Sequence, residues 1–281
     1  MAPSSDWPCL GVDFTSAPSR RKPVALAEGV RRGDCVHLVS QHDVPTHEAL
    51  AERLARPGPW VGGFDLPFGL PRELVQALGW PTDWRDCMAH YAALPRPQIR
   101  DLFAAFCASR PAGSKFAHRA CDLPAGSSPS MKWVNPPVAW MLHAGVPLLL
   151  QAGVELPAHE APADPGPTPS PSRRVALEAY PGLLAREVVG RQSYKSDDVR
   201  RQSAERRKVR QMIVQALQAG RTRLGLSLEL DRAQAAALVE DAQGDRLDAV
   251  LCLVQAAWSA AQPRWGLPVQ VDPLEGWIAT A

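Results

Sequence analysis

The chain has 281 residues, 46% of them hydrophobic, enough apolar side chain for a sizeable core and too much for a disordered polymer. Lys and Arg number 31 against 29 Asp and Glu, a formal charge of +2, so the overall balance by itself does not argue for a nucleic-acid partner. None of the six cysteines lies in a C-x-x-C pair, which argues against zinc, and the apolar stretch 139–154 is broken by His143, Pro147 and Gln151, which argues against a membrane span.

The first residues lack the basic flank and apolar run of a signal peptide, so a reducing, cytoplasmic setting is expected, with the cysteines as small core residues. Residues 9–14, Cys-Leu-Gly-Val-Asp-Phe, read as a buried strand with one carboxylate, Asp13, where the apolar run gives way to turn chemistry. Residues 22–29 and 34–39 have the length of two more strands joined at Gly33, giving an antiparallel meander. Thr46 is placed to cap a helix over 47–55, with Leu50 and Leu54 on its apolar face. The run Trp60-Val61-Gly62-Gly63-Phe64-Asp65 repeats the pattern of the first strand. A helix between two strands makes a crossover, so this strand is expected parallel to the first, with Asp13 and Asp65 side by side at carboxyl ends. Two such carboxylates repel unless a cation lies between them, and a divalent metal is the simplest compensation.

Residues 72–174 read as a largely helical and irregular insertion that ends in a Pro-rich loop over 157–174. A strand over 175–180 follows, carrying a third inward candidate, Glu178. Residues 195–218 read as a helix. Between 195 and 210 it holds seven Lys or Arg against three Asp or Glu, a local balance of +4 that suits either a phosphate backbone or a solvated face. Helices are expected over 231–242 and 245–261, the last opening on Asp245-Arg246-Leu247-Asp248. The end, 276–279, reads as a late strand or a docked tail.

The segments GVDFTSAP, GFDLPFGLP, LEAYPG and GDRLDAV, in this order and spacing, resemble the family called domain of unknown function 429, described as predicted nucleases of the ribonuclease H fold. The resemblance covers residues 9–71 and about 175–260. It implies an α/β fold in which a ribonuclease H-like mixed sheet is flanked by helices, with residues 1–281 as one domain around the helical insertion. In that fold the first-strand acid matches Asp13, the fourth-strand acid Asp65, and the last-helix acids Asp245 and Asp248, with Asp13, Asp65 and Asp248 holding Mg²⁺ or Mn²⁺ for phosphodiester hydrolysis of DNA or RNA. Glu178 lies in the family-like LEAYPG segment and is added as a helper. A Glu from the helix before the fourth strand matches Glu48 or Glu52 only weakly.

Each residue also has a plainer role. Asp13 and Asp65 suit Asx turns, Asp245 an N-cap, and Asp248 the third helical position, where it favours the helix dipole. Arg119, Asp122 and Lys195 lie in polar runs that can orient a substrate, or serve only as structural polar groups. Trp84, Trp133 and Trp140 are core residues or base-stacking platforms. The histidines show no metal-ligand spacing. Two other functions stay open: a nucleotide-dependent phosphotransferase of the actin and sugar-kinase type, against which stands the lack of a Gly-rich phosphate loop, and a non-catalytic binding module on the same scaffold.

Overall fold

A computed structural model describes residues 6–160 and 172–281. Among the described residues, six strands form one mixed sheet in the order β5-β4-β1-β2-β3-β6. Strands β1 (Trp7–Asp13), β2 (Val24–Arg32) and β3 (Cys35–Val44) make the expected antiparallel meander, both later strands running longer than the sequence suggests. Gly33, at φ 58°, supplies the left-handed residue that the tight join between β2 and β3 requires.

Helix α1 (His47–Leu54) starts where Thr46 accepts a hydrogen bond from the Ala49 N–H. It carries the chain over to β4 (Trp60–Asp65), which is parallel to β1. The parallel β5 (Arg174–Glu178) lies outside β4. The opposite edge is β6 (Ser227–Glu229), which the sequence reading lacks because three residues carry too little alternation to register.

Two apolar layers cover the sheet. On one face, Leu10, Val12, Leu26 and Phe64 pack against Leu50 and Leu54 of α1 and against the insertion. The insertion is helical as expected: α2 (Arg72–Ala77), α3 (Trp84–Ala93), α4 (Arg96–Ala108), α5 (Asp122–Ala125) and α6 (Val138–Ala152). Of its expected Pro-rich loop, residues 161–171 lie outside the described residues. On the other face, Cys9, Ala25, Ala27 and Val36 pack against α7 (Pro181–Val189), α8 (Ala204–Gln218), α9 (Arg232–Glu240) and α10 (Asp245–Ser259).

Helix α10 lies directly on the strand backbones. A Cβ at Gly11 would stand 1.9 Å from the Ala249 carbonyl oxygen, and one at Gly63 2.4 Å from that of Cys252. These two glycines let α10 approach closely enough to bring its first turn to the ends of β1 and β4.

Two helical expectations change. β5 stops at Glu178, ahead of the Pro181-Gly182 pair expected to end it, and that pair instead opens α7, with Pro181 at the first helical position, where its missing N–H costs nothing. The basic helix expected from residue 195 starts only at Ala204, because Ser203 caps it and Asp198 caps a separate turn over Val199–Arg201. Lys195 therefore sits on extended chain. The carboxyl-terminal tail docks through a parallel bridge between Ile278 and Glu178, and the Gln255 side-chain amide donates to Thr280 Oγ1 at 2.8 Å. No helix among the described residues is long and apolar enough to cross a membrane.

Candidate functional site

Asp13 and Asp65 are directly opposed in the parallel β1–β4 register. Strand parity puts Asp13 on the same side as Gly11, and Asp65 on the same side as Gly63, so both carboxylates face the start of α10. Asp248 and Asp245 stand in its first turn. The N-cap of α10 is Gly244, at φ 78°, and among the described residues no backbone N–H donates to the Asp245 carboxylate. The plainer reading of Asp245 as a cap thus does not hold. Nor does an Asx turn account for Asp13 or Asp65, since among the described residues no backbone N–H donates to either carboxylate.

The electrostatics are those of a crowded acidic site. Burial pushes the Asp13 carboxyl well above the usual carboxylate range; the Lys195 ammonium opposes this, and Asp248, Asp65 and Asp245 add to it. Burial lifts Asp65 to about 7, again against Lys195 and with Asp248. Asp245 is raised by burial, tempered by Lys22 and Lys195. Asp248 is fully buried and accepts hydrogen bonds from the Tyr194 hydroxyl and the Lys195 ammonium. Burial works to lower the Lys195 ammonium, but Asp248, Tyr194 and Asp13 outweigh it and hold it well above its ordinary value.

Asp13, Asp65, Asp245, Asp248 and Lys195 are therefore brought together. Glu178 is not one of the group. It is in register with Phe64, one residue short of Asp65, and the pleat sends it toward the insertion face. There Arg119 grips it with both terminal nitrogens, at 2.6 and 2.7 Å, and the Phe68 N–H donates at 3.0 Å. Arg119 also donates to Asp122 at 2.9 Å. All three side chains are buried, and the trio clamps the insertion to the β5 side of the sheet. Removing one member of such a buried set costs about 3–5 kcal/mol, because a charge is left uncompensated. The substrate-orienting roles expected of Arg119 and Asp122 thus give way to this clamp, although Arg119 still lines the neighbouring cleft.

That cleft holds about 570 Å³ and runs past Asp65, Glu178, Tyr180, Arg186, Arg191, Tyr194 and Lys195. No motif in the sequence marks Tyr194 or Arg191; only their place in the five residues that end at Lys195 hints at a role. Glu48 and Glu52 are exposed on α1, which packs on the face away from α10, so they do not join the acids. Trp84 is buried, stacked on His159 with ring centroids 4.4 Å apart, and its indole N–H donates to the Phe68 carbonyl. Trp133 packs on Phe116 and Trp140 lies under Arg96, so all three tryptophans have structural partners.

The basic run is largely spent on internal partners. Arg200 pairs with Asp198 and Arg207 with Glu240, and the buried Arg210 donates to the carbonyls of Val239 and Tyr194. Among the described residues, the set of three His, Cys, Asp or Glu side chains whose ligand atoms all lie within 4.8 Å of one another is Cys35, His37 and Glu229, on the far edge of the sheet. Asp13, Asp65 and Asp248 stand further apart than that as a set, with the Lys195 ammonium drawn onto Asp248. No protein-family model, curated protein or solved structure matches the chain.

Proposed function

We propose that the protein is a metal-dependent nuclease with a ribonuclease H-like scaffold, acting on nucleic acid in a cytoplasmic setting. The observation that carries this reading is the convergence of Asp13, Asp65 and Asp248, with Asp245, from three distant parts of the chain onto one end of the sheet. Their positions on the first strand, the fourth strand and the last long helix are those the family resemblance names.

The donor set fits a hard divalent cation. All four converging acids offer carboxylate oxygen, and their burial and mutual repulsion raise Asp13 and Asp65, as expected of a site short of positive charge. Asp13, Asp65 and Asp248 would hold Mg²⁺ or Mn²⁺, which when bound supplies charge against the attacking and leaving oxygens of an in-line displacement at phosphorus.

The chain's own groups do the positioning. Lys195 is partly exposed beside Asp248 and can pass a hydrogen bond to a non-bridging phosphate oxygen. Arg191, exposed on the cleft wall, supplies a guanidinium for the adjoining phosphate. Tyr194 fixes the Asp248 carboxylate through its hydroxyl. The Arg119–Glu178 pair forms a rigid wall of the cleft rather than a catalytic acid.

Purified protein with Mn²⁺ is expected to cut at least one of single- or double-stranded DNA or RNA, and Asp13→Asn to abolish the cutting while the fold survives. A wild-type protein that is inert on all four and takes up neither Mg²⁺ nor Mn²⁺ in calorimetry would sink the reading.

A further inference from the structure

Cys35, His37 and Glu229 form a second cluster, remote from the acidic site in the strand order. Cys35 and His37 are two apart on β3, so the pleat sends both side chains to one face. Val36 and Leu38, the alternate residues, are buried in the layer that α8 and α10 cover. The two ligand-type side chains thus look the other way, where the sheet edge is half open. Strand β6 runs parallel to β3 with Glu229 in register with His37, so its carboxylate arrives on the same face. Glu229 Oε2 is 3.0 Å from His37 Nδ1 and 4.0 Å from Cys35 Sγ.

We propose that these three residues bind a zinc ion, with solvent in the fourth position. In a tetrahedral zinc shell the donor atoms stand about 3.3–3.6 Å apart, from Zn–N, Zn–O and Zn–S bonds of roughly 2.0–2.3 Å. The observed separations of 3.0 and 4.0 Å bracket that range, so small rotations of the half-buried Cys35 and His37 and the exposed Glu229 complete the site. One thiolate, one imidazole and one carboxylate make a borderline-soft donor set, which selects zinc over Mg²⁺. The acidic site is its opposite, all hard oxygen. Binding releases the Cys35 thiol proton to solvent, and His37 donates its Nδ1 lone pair; no group is oxidised or reduced.

The fold gives the ion a task. Strand β6 is three residues long and sits at the sheet edge. An ion shared between β3 and β6 ties that short strand, and the connection between α8 and α9 on which it lies, to the central sheet. The proposal is independent of the nuclease reading.

Co²⁺, a coloured substitute for zinc, tests it on the full-length protein. Cys35 is partly exposed and the other five cysteines are buried, so a thiolate-to-cobalt charge-transfer band reports on Cys35. The band is expected to saturate at one equivalent, to vanish on adding Zn²⁺, and to be lost in Cys35→Ser and in His37→Ala while their circular dichroism is unchanged. It should persist in Asp13→Asn. No band in the wild type, or a band that survives Cys35→Ser, overturns the proposal and leaves His37 and Glu229 as a surface contact. A band lost in Asp13→Asn overturns it as well.

Discussion

His159 shows how a single residue responds to being enclosed. Its Nδ1–H donates to the Pro273 carbonyl at 2.7 Å, while Nε2 is buried with no hydrogen-bond partner among the described residues. The ring is stacked on Trp84 and closed over by Gly276, where a Cβ would stand 2.4 Å from the ring carbon Cε1. Burial lowers its pKa to about 3, against the Pro273 carbonyl and with the nearby Arg119. The native ring is therefore neutral at pH values where the unfolded one has taken up a proton. Stability from this residue is complete above the ordinary histidine value near 6.5 and is lost as pH falls toward 3. The expected slope is at most about 1.4 kcal/mol per pH unit in that window, and denaturant titrations at stepped pH should show it removed in His159→Phe. An unchanged slope in that variant would mean the ring is not the titrating group.

At the level of elements, the seat of α10 on β1 and β4 decides whether the acids meet. Gly11 is the closest point, and a methyl group there runs into the Ala249 backbone, which a helix cannot rotate away. Overpacking of this kind ordinarily costs about 1–3 kcal/mol, and a contact with backbone lies at or beyond the upper end. Gly11→Ala should therefore lower the thermal midpoint and, by moving Asp248 off Asp13, weaken Mn²⁺ uptake in calorimetry. Loss of stability with metal uptake intact would show that the acids do not depend on the helix seat. Strand parity acts at the same scale. Asp13 and Asp65 are in register and share a face, whereas Glu178, in register with Phe64, is turned to the other side and pairs with Arg119.

Across the whole molecule, charge is sorted rather than spread. The basic run after residue 195 neutralises itself on Asp198 and Glu240, while Arg191 and Lys195 face the cleft. Under the proposed nuclease function, nucleic-acid affinity should then depend on the cleft and not on the outer face of α8. Arg191→Ala is expected to weaken binding and to flatten the dependence of log affinity on log salt by about 1, the signature of one lost phosphate contact. Arg207→Ala on the α8 surface should change neither. Fluorescence anisotropy over a salt series separates the two, and the opposite pattern would move the substrate from the cleft to the helix.

Local residue patterns by themselves determined the meander, the crossover helix capped by Thr46, the alignment of Asp13 with Asp65 and the start of the last helix, because each follows from the order of apolar runs and turn residues along a short stretch. The helix-flanked mixed α/β sheet follows from the family resemblance, which rests on the order and spacing of those same segments. What only the tertiary structure decided lies between segments far apart in the chain: the β6 edge, the partner of Glu178, the grip of Tyr194 and Lys195 on Asp248, and the meeting of Cys35 and His37 with Glu229. A pleat inverts its facing with each single residue, so which side chains share a side depends on a register set by packing between distant strands, and no local spacing records it.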